Sequence, residues 1–289
     1  MLISPPKVFL DTQILIDVGR GTIAPDDWSR VVLYLRDGTR YSISPLTLGE
    51  LISGLVNGEE EHFERNRRPL RIALSPDANA EVFDFLPYFL AGQLGVDFAR
   101  PPHLEDDFLG SIGLILEAPS RAACLEGFRR PQSPGQTAKV RIDRLAREHA
   151  DTLGKYFEFM ARRREDILAQ RHGLGPFQVA PDAWASFILG SYGVAAMEHD
   201  CSEAAERLSA AYEFEMHINT LMKSETFSVE KNRGDLVDGQ QLFYLFDSST
   251  VFVTNDSRIK LRTARSPQSH RIKTFSDLLA CAESGLSLL

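Results

Sequence analysis

Residues 234–256 read GDLVDGQQLFYLFDSSTVFVTND. The second half, Thr250-Val-Phe-Val-Thr254, is β-branched and aromatic and stops at Asn255-Asp256. That is the composition of a short buried strand bounded by polar turn residues. The first half predicts a helix, with Leu236, Val237, Leu242, Phe243, Leu245 and Phe246 forming a broad apolar side. Asp235 and Asp238 stand three residues apart and share one face near its N-terminus. A helix followed by a buried strand ending in an acid is half of an α/β unit. Ligands of such sheets collect beyond the carboxyl ends of the strands, where Asp256 stands.

The beginning of the chain supplies the matching half. Lys7-Val-Phe-Leu10 is a short apolar strand ending at Asp11-Thr12, with an apolar run from Ile14 to Val18 behind it. Tyr41-Ser-Ile-Ser44 predicts a second strand, leading through Pro45-Leu-Thr-Leu-Gly-Glu50 into a helix over about Thr47 to Asn57. Asp11, Asp256 and one of Asp235 and Asp238 therefore fall beside strand ends or helix starts, and Glu50 joins them early in its helix. Carboxylates gathered without cations repel one another. A hard divalent cation bound through oxygens, Mg²⁺ or Mn²⁺, removes that cost.

The pattern resembles the PIN-domain nucleases. The resemblance rests on VFLDT at 8–12, SPLTLGEL at 44–51, DLVDGQQLFYL at 235–245 and FVTND at 252–256, with HRIKTFSDLL at 270–279 as a final strand and helix. No one of these motifs is specific; their order and spacing carry the likeness, over roughly the first 100 and last 60 residues. It implies a three-layer α/β/α fold with a central, mainly parallel sheet. The halves would span 1–104 and 226–289, with an inserted helical segment at 105–225 that departs from the family. It further implies a ribonuclease that hydrolyses phosphodiester bonds with Mg²⁺ or Mn²⁺ held by Asp11, Glu50, Asp238 and Asp256, with Asp235 as an alternative ligand. Thr12, Thr254 and Asn255 would support them. Many members of the family pair with an antitoxin and others process RNA, so the expected partners are nucleic acid, above all RNA, and an antitoxin or a second copy of the chain.

Each of these residues also has a plainer reading. Asp11 and Asp235 can cap the helices that follow them. Thr47-Leu-Gly-Glu50 matches a capping box, which would consume Glu50. If Ser44 caps instead, with Pro45 at the first helical position, Glu50 lies inside the helix and is free to face the site. Glu105-Asp106-Asp107 reads as a solvated helix start, and the seven histidines show no zinc spacing.

Composition places the chain among soluble globular proteins: 289 residues, 43% hydrophobic and 25% charged. No apolar run is long enough to span a bilayer, and MLISPPKVFLD lacks a signal-peptide layout. Cys124, Cys201 and Cys281 lie far apart, which suits a reducing, cytoplasmic setting. The net charge of −8 argues against a polyanionic partner, but Arg121 to Arg171 carries twelve Lys/Arg against seven Asp/Glu, a local balance of +5. Such a segment offers a phosphate-binding face, or only a solvated helix of mixed charge. Within it, Pro131 to Gly135 reads as a break and Thr137 to Arg171 as a long helix.

Other chemistries are excluded. There is no Gly-x-Gly-x-x-Gly after the first strand and no Walker-type loop. A haloacid dehalogenase-type phosphatase needs an aspartate two residues after Asp11, where Gln13 stands, and no Gly-x-Ser-x-Gly elbow supports a serine hydrolase. The alternative to a nuclease is a catalytically silent PIN-like module that binds nucleic acid or assembles with partners.

Overall fold

The computed structural model describes residues 6–75, 80–97, 112–127, 131–133, 136–137, 158, 161–169, 179–194, 201–224, 226–229, 231–232 and 234–289. Two strands form its centre: β1 (Lys7–Leu10) and β6 (Thr250–Val253), paired in parallel with Lys7 opposite Thr250 and Leu10 opposite Val253. β2 (Arg40–Ile43) and β3 (Glu81–Val82) extend the sheet on one side and β7 (Ile272–Lys273) on the other. The order is β3-β2-β1-β6-β7, and every neighbouring pair is parallel. Parallel strands are buried on both faces and therefore read as continuous apolar runs, as KVFL and TVFV do.

Alternation along the two strands sorts their side chains into two cores. Val8, Leu10, Val251 and Val253 join the core beneath helices α1 (Thr12–Arg20), α2 (Pro25–Gly38), α3 (Pro45–Val56) and α4 (Phe63–Ala73) and the C-terminal helix Phe275–Ser284. Phe9 and Phe252 face the other way and stack at 4.5 Å between ring centroids. They join the core built by α5 (Leu86–Gln93) and the helices Pro181–Ser191, Cys201–Arg207 and Ser209–Leu221. The protein is thus a mixed α/β fold with helices on both faces of an all-parallel sheet. The helices between 181 and 221, in the middle of the chain, pack on that sheet and share its core.

Local signals explain most element ends. Ser44 caps α3, its hydroxyl accepting from the Thr47 amide at 3.0 Å, with Pro45 next. Gly58 follows that helix in tight quarters, where a Cβ would sit 2.8 Å from the Gly54 carbonyl oxygen. Thr274 and Asp277 form a capping box at the start of the last helix.

Two expectations need correction. The helix from Gly234 stops at Gln241, and Leu242–Phe246 continues as a 3₁₀ helix with all five side chains buried. Pro131–Ser133 and Gln136–Thr137 pair as short antiparallel strands, β4 and β5, so the break before Arg141 carries a hairpin. Most of the long helix expected over Thr137–Arg171 lies outside the described residues. Among the described residues, no helix is long and apolar enough to cross a membrane.

Candidate active site

The β1–β6 register brings the ends of both strands level, so the residues that follow them meet. The Asp11 amide donates to the Val253 carbonyl at 2.9 Å, and the Thr254 hydroxyl donates to Asp11 Oδ2 at 2.6 Å. Thr254 Oγ1 also accepts from the Asp256 amide at 3.0 Å, so one hydroxyl positions both acids. Asp11 is buried and caps α1, accepting weakly from the Gln13 amide at 3.5 Å. Burial pushes its carboxyl pKa up, against the pull of the Thr254 hydrogen bond, and the charge of Asp256 adds to the rise.

Glu50 enters from α3. Because Ser44 caps that helix, Glu50 is free of the capping role, and it accepts a short hydrogen bond from the Thr12 hydroxyl. Glu50 is exposed as a residue, yet the protein around its carboxyl group desolvates it. That raises its pKa, with a further rise from Asp11 and an opposing pull from Thr12.

Asp235 and Asp238 part company. Asp235 is buried, with its Oδ1 2.6 Å from Arg262 Nη1 and 4.0 Å from Arg258 Nη1. Arg262 is itself buried beside the Phe214 ring, 5.1 Å from its centroid. This contact is an ion pair in distance but poorly aligned as a hydrogen bond, since Arg262 Nη1 and both Asp235 oxygens lack a hydrogen-bond partner. Asp238 has no such cation against it. Burial first, then the charges of Asp11, Asp235 and Asp256, push its pKa up to about 7, with only Arg258 opposing.

Asp256 caps the helix Ser257–Arg262 through the Arg258 amide at 2.7 Å. The Arg258 guanidinium binds both its oxygens, with Nε 3.1 and 3.0 Å from Oδ1 and Oδ2 and Nη2 2.5 Å from Oδ2. Partial burial works against ionisation, yet the arginine holds the Asp256 pKa below its ordinary value. Asn255 turns away from the acids, its Oδ1 accepting from the Phe275 amide at 3.1 Å.

The site thus assembles carboxylates from four separate stretches at the carboxyl end of the sheet. Within it sit two arginines, Arg258 and Arg262, which sequence reasoning did not select. Their signal was the spacing Asp256-Ser-Arg258-Ile-Lys-Leu-Arg262, which returns a cation to the Asp256 side after one helical turn. Hard oxygen donors crowded with too little counter-charge suit Mg²⁺ or Mn²⁺. Among the described residues, however, the one group of three or more candidate ligands with all donor atoms within 4.8 Å of one another lies elsewhere. It is Glu59, Glu61 and His62, ahead of α4, which could hold a metal ion; both glutamates are exposed. In the present arrangement the four site acids stand further apart than a closed ligand set.

Most of the basic segment Arg121–Arg171, together with Glu105-Asp106-Asp107, lies outside the described residues. Of the Arg162–Arg164 triplet, Arg163 pairs with Glu215 and Arg164 donates to the Ser224 carbonyl at 3.3 Å, so both brace the helical layer. Comparison with known proteins adds no family: no family model matches the chain, and no curated protein or solved structure matches it at a significant level.

Proposed function

We propose that this protein is a PIN-like nuclease that hydrolyses phosphodiester bonds, most naturally in RNA, with Mg²⁺ or Mn²⁺ held by Asp11, Glu50, Asp238 and Asp256. The observation that carries the reading is the convergence of these acids at one end of the sheet, with Asp238 facing the charges of three other aspartates. A buried carboxylate surrounded by like charges is costly unless a cation completes the group. A divalent ion bound there supplies Lewis-acid activation of water and offsets charge on the reacting phosphate.

The chain's own residues do the positioning. Thr254 fixes Asp11 relative to Asp256, and Thr12 fixes Glu50, so two hydroxyls set the spacing of three carboxylates. The Asp235–Arg262 pair anchors the start of the helix that presents Asp238. Arg258, more than half exposed, stands beside the acids as a cation that can turn from Asp256 to a substrate phosphate.

Two observations favour the silent-module alternative: Asp256 is already neutralised by Arg258, and the acids are not closed into a ligand set. Incubation of labelled RNA and DNA, single- and double-stranded, with Mn²⁺ or with EDTA decides. The nuclease reading expects Mn²⁺-dependent cleavage of RNA that is lost in Asp11→Asn. Binding without cleavage under all conditions supports the silent module.

A further inference from the structure

A second charged feature lies at the far end of α1. Its last turn and the outer side of α4 border an open groove of about 620 Å³, lined by Gly19, Arg20, Glu64, Arg65, Arg68 and Arg71. The two helices touch at its floor, where a Cβ on Gly19 would come 2.7 Å from Pro69 Cγ. Only a glycine permits this approach, and it sets Arg20 opposite the arginines of α4.

The charges do not cancel. Glu64 is the groove's single acid, and it is engaged by Arg67 and by Arg71, the latter at 3.3 Å. Arg67 points inward and spends its guanidinium on the carbonyls of Ile115, Leu116 and Ala118. Arg20, Arg65 and Arg68 are exposed and, among the described residues, make no ion pair. Like charges one helical turn apart disfavour a helix, and here they stand in a chain of net charge −8. The exposed guanidiniums make this groove a local positive focus, and their planar forks match phosphate oxygens.

Position links the groove to the acids. α1 begins at Asp11, its cap, and ends at Arg20. The nine residues of α1 span about 14 Å at ~1.5 Å each. A stacked nucleic-acid strand covers that distance in about four nucleotides, at the ~3.4 Å per phosphate of one strand of a duplex.

Resting on the nuclease reading above, we propose that the α1–α4 groove binds the sugar–phosphate backbone of a single-stranded nucleic-acid substrate about four nucleotides from the scissile phosphate, through Arg20, Arg65 and Arg68. An open groove with guanidiniums contributed by two helices suits a passing backbone better than a single enclosed anion.

The test is binding of a labelled single-stranded oligoribonucleotide to the full chain in EDTA, followed by fluorescence anisotropy across a salt series. For Arg65→Gln/Arg68→Gln the affinity should fall about tenfold or more near 0.1 M salt. The slope of log K against log salt should flatten by about 1.4, at ~0.7 per phosphate contact for single strands. Arg65→Lys/Arg68→Lys should restore most of the slope, which separates lost charge from lost folding. Arg36→Gln, an exposed arginine on α2, serves as the control and should match wild type. Wild-type affinity and slope in the Gln variant would overturn the proposal. So would a groove that retains inorganic tripolyphosphate but not the oligonucleotide. The two readings fail separately: groove-dependent binding with no Mn²⁺-dependent cleavage removes the nuclease and keeps the groove, whereas cleavage with groove-independent binding does the reverse.

Discussion

Arg258 binds both carboxylate oxygens of Asp256, the cap two residues before it, and it also lies within 4.0 Å of Asp235. It is a cation supplied by the chain at the place where a metal ion would compete for the same oxygens. Since Arg258 is more than half exposed, the pair contributes only about 0–1 kcal/mol to stability. Arg258→Gln is therefore expected to lower the melting temperature in EDTA by a few degrees at most, while tightening Mn²⁺ binding several-fold in calorimetry. Weaker Mn²⁺ binding would mean that Arg258 orders Asp256 for the ion rather than competing with it.

Asp238 sets a pH dependence of definite sign. Its folded-state pKa of about 7 lies above the ordinary value of 3.8, so between those values the folded state holds more proton than the unfolded one. Stability must then fall as pH rises through that window, with the full penalty present above pH 7. Asp238→Asn removes the penalty. In EDTA at pH 8 the variant should be more stable than wild type by on the order of 2 kcal/mol, and the gap should close toward pH 4. A gap that does not vary with pH would assign the effect to packing.

Asp11→Asn preserves shape, the capping of α1 and an acceptor for the Thr254 hydroxyl, and removes one charge from the crowded group. Thermal melts should show it at or above the wild-type temperature in EDTA. Its gain from Mn²⁺ should be much smaller than the roughly 2.7 kcal/mol that wild type gains at 100 times its dissociation constant. If Asp11 serves only as a cap, the Mn²⁺ response will match that of wild type and cleavage will persist.

Two glycines should respond in opposite directions to alanine. At Gly19 the new Cβ would meet Pro69 at 2.7 Å, so Gly19→Ala forces α1 and α4 apart at a cost of about 1–3 kcal/mol. At Gly49, inside α3, no atom lies within 4 Å, and Gly49→Ala should stabilise by roughly 0.5–1 kcal/mol. Urea unfolding of the two variants gives both signs in one experiment.

The sheet was legible because its central strands are buried on both faces. KVFL and TVFV are apolar at every position but the first, and the register brings the polar residues that follow them, Asp11 and Thr254, side by side. Asp11 stands directly at its strand end and Asp256 in the turn just past Thr254, so both could be picked out as strand-end acids. The choice between Asp235 and Asp238 could not be made from spacing, since both lie on one helical face. It depends on Arg262, which arrives from beyond the next strand and takes Asp235. The clamp on Asp256 was hidden differently: Arg258 is so close in sequence that it reads as an ordinary first-turn residue. The groove arginines sit in a stretch, Glu59 to Arg71, that reads simply as highly charged. Only folding decides that Arg67 turns inward while its neighbours stay outside.

The hydrogen bond from Thr254 to Asp11 joins residues 243 positions apart. A ribosome adding roughly 5–20 residues per second needs on the order of 10–50 s to travel between them. Through that interval β1 lacks its neighbour β6, and Asp11 lacks both the hydroxyl that orients it and the later aspartates, Asp238 and Asp256, that complete its group. A nascent chain of this layout carries no assembled cluster beside the messenger that encodes it. The cluster comes into being only once Thr254 and Asp256 have been added.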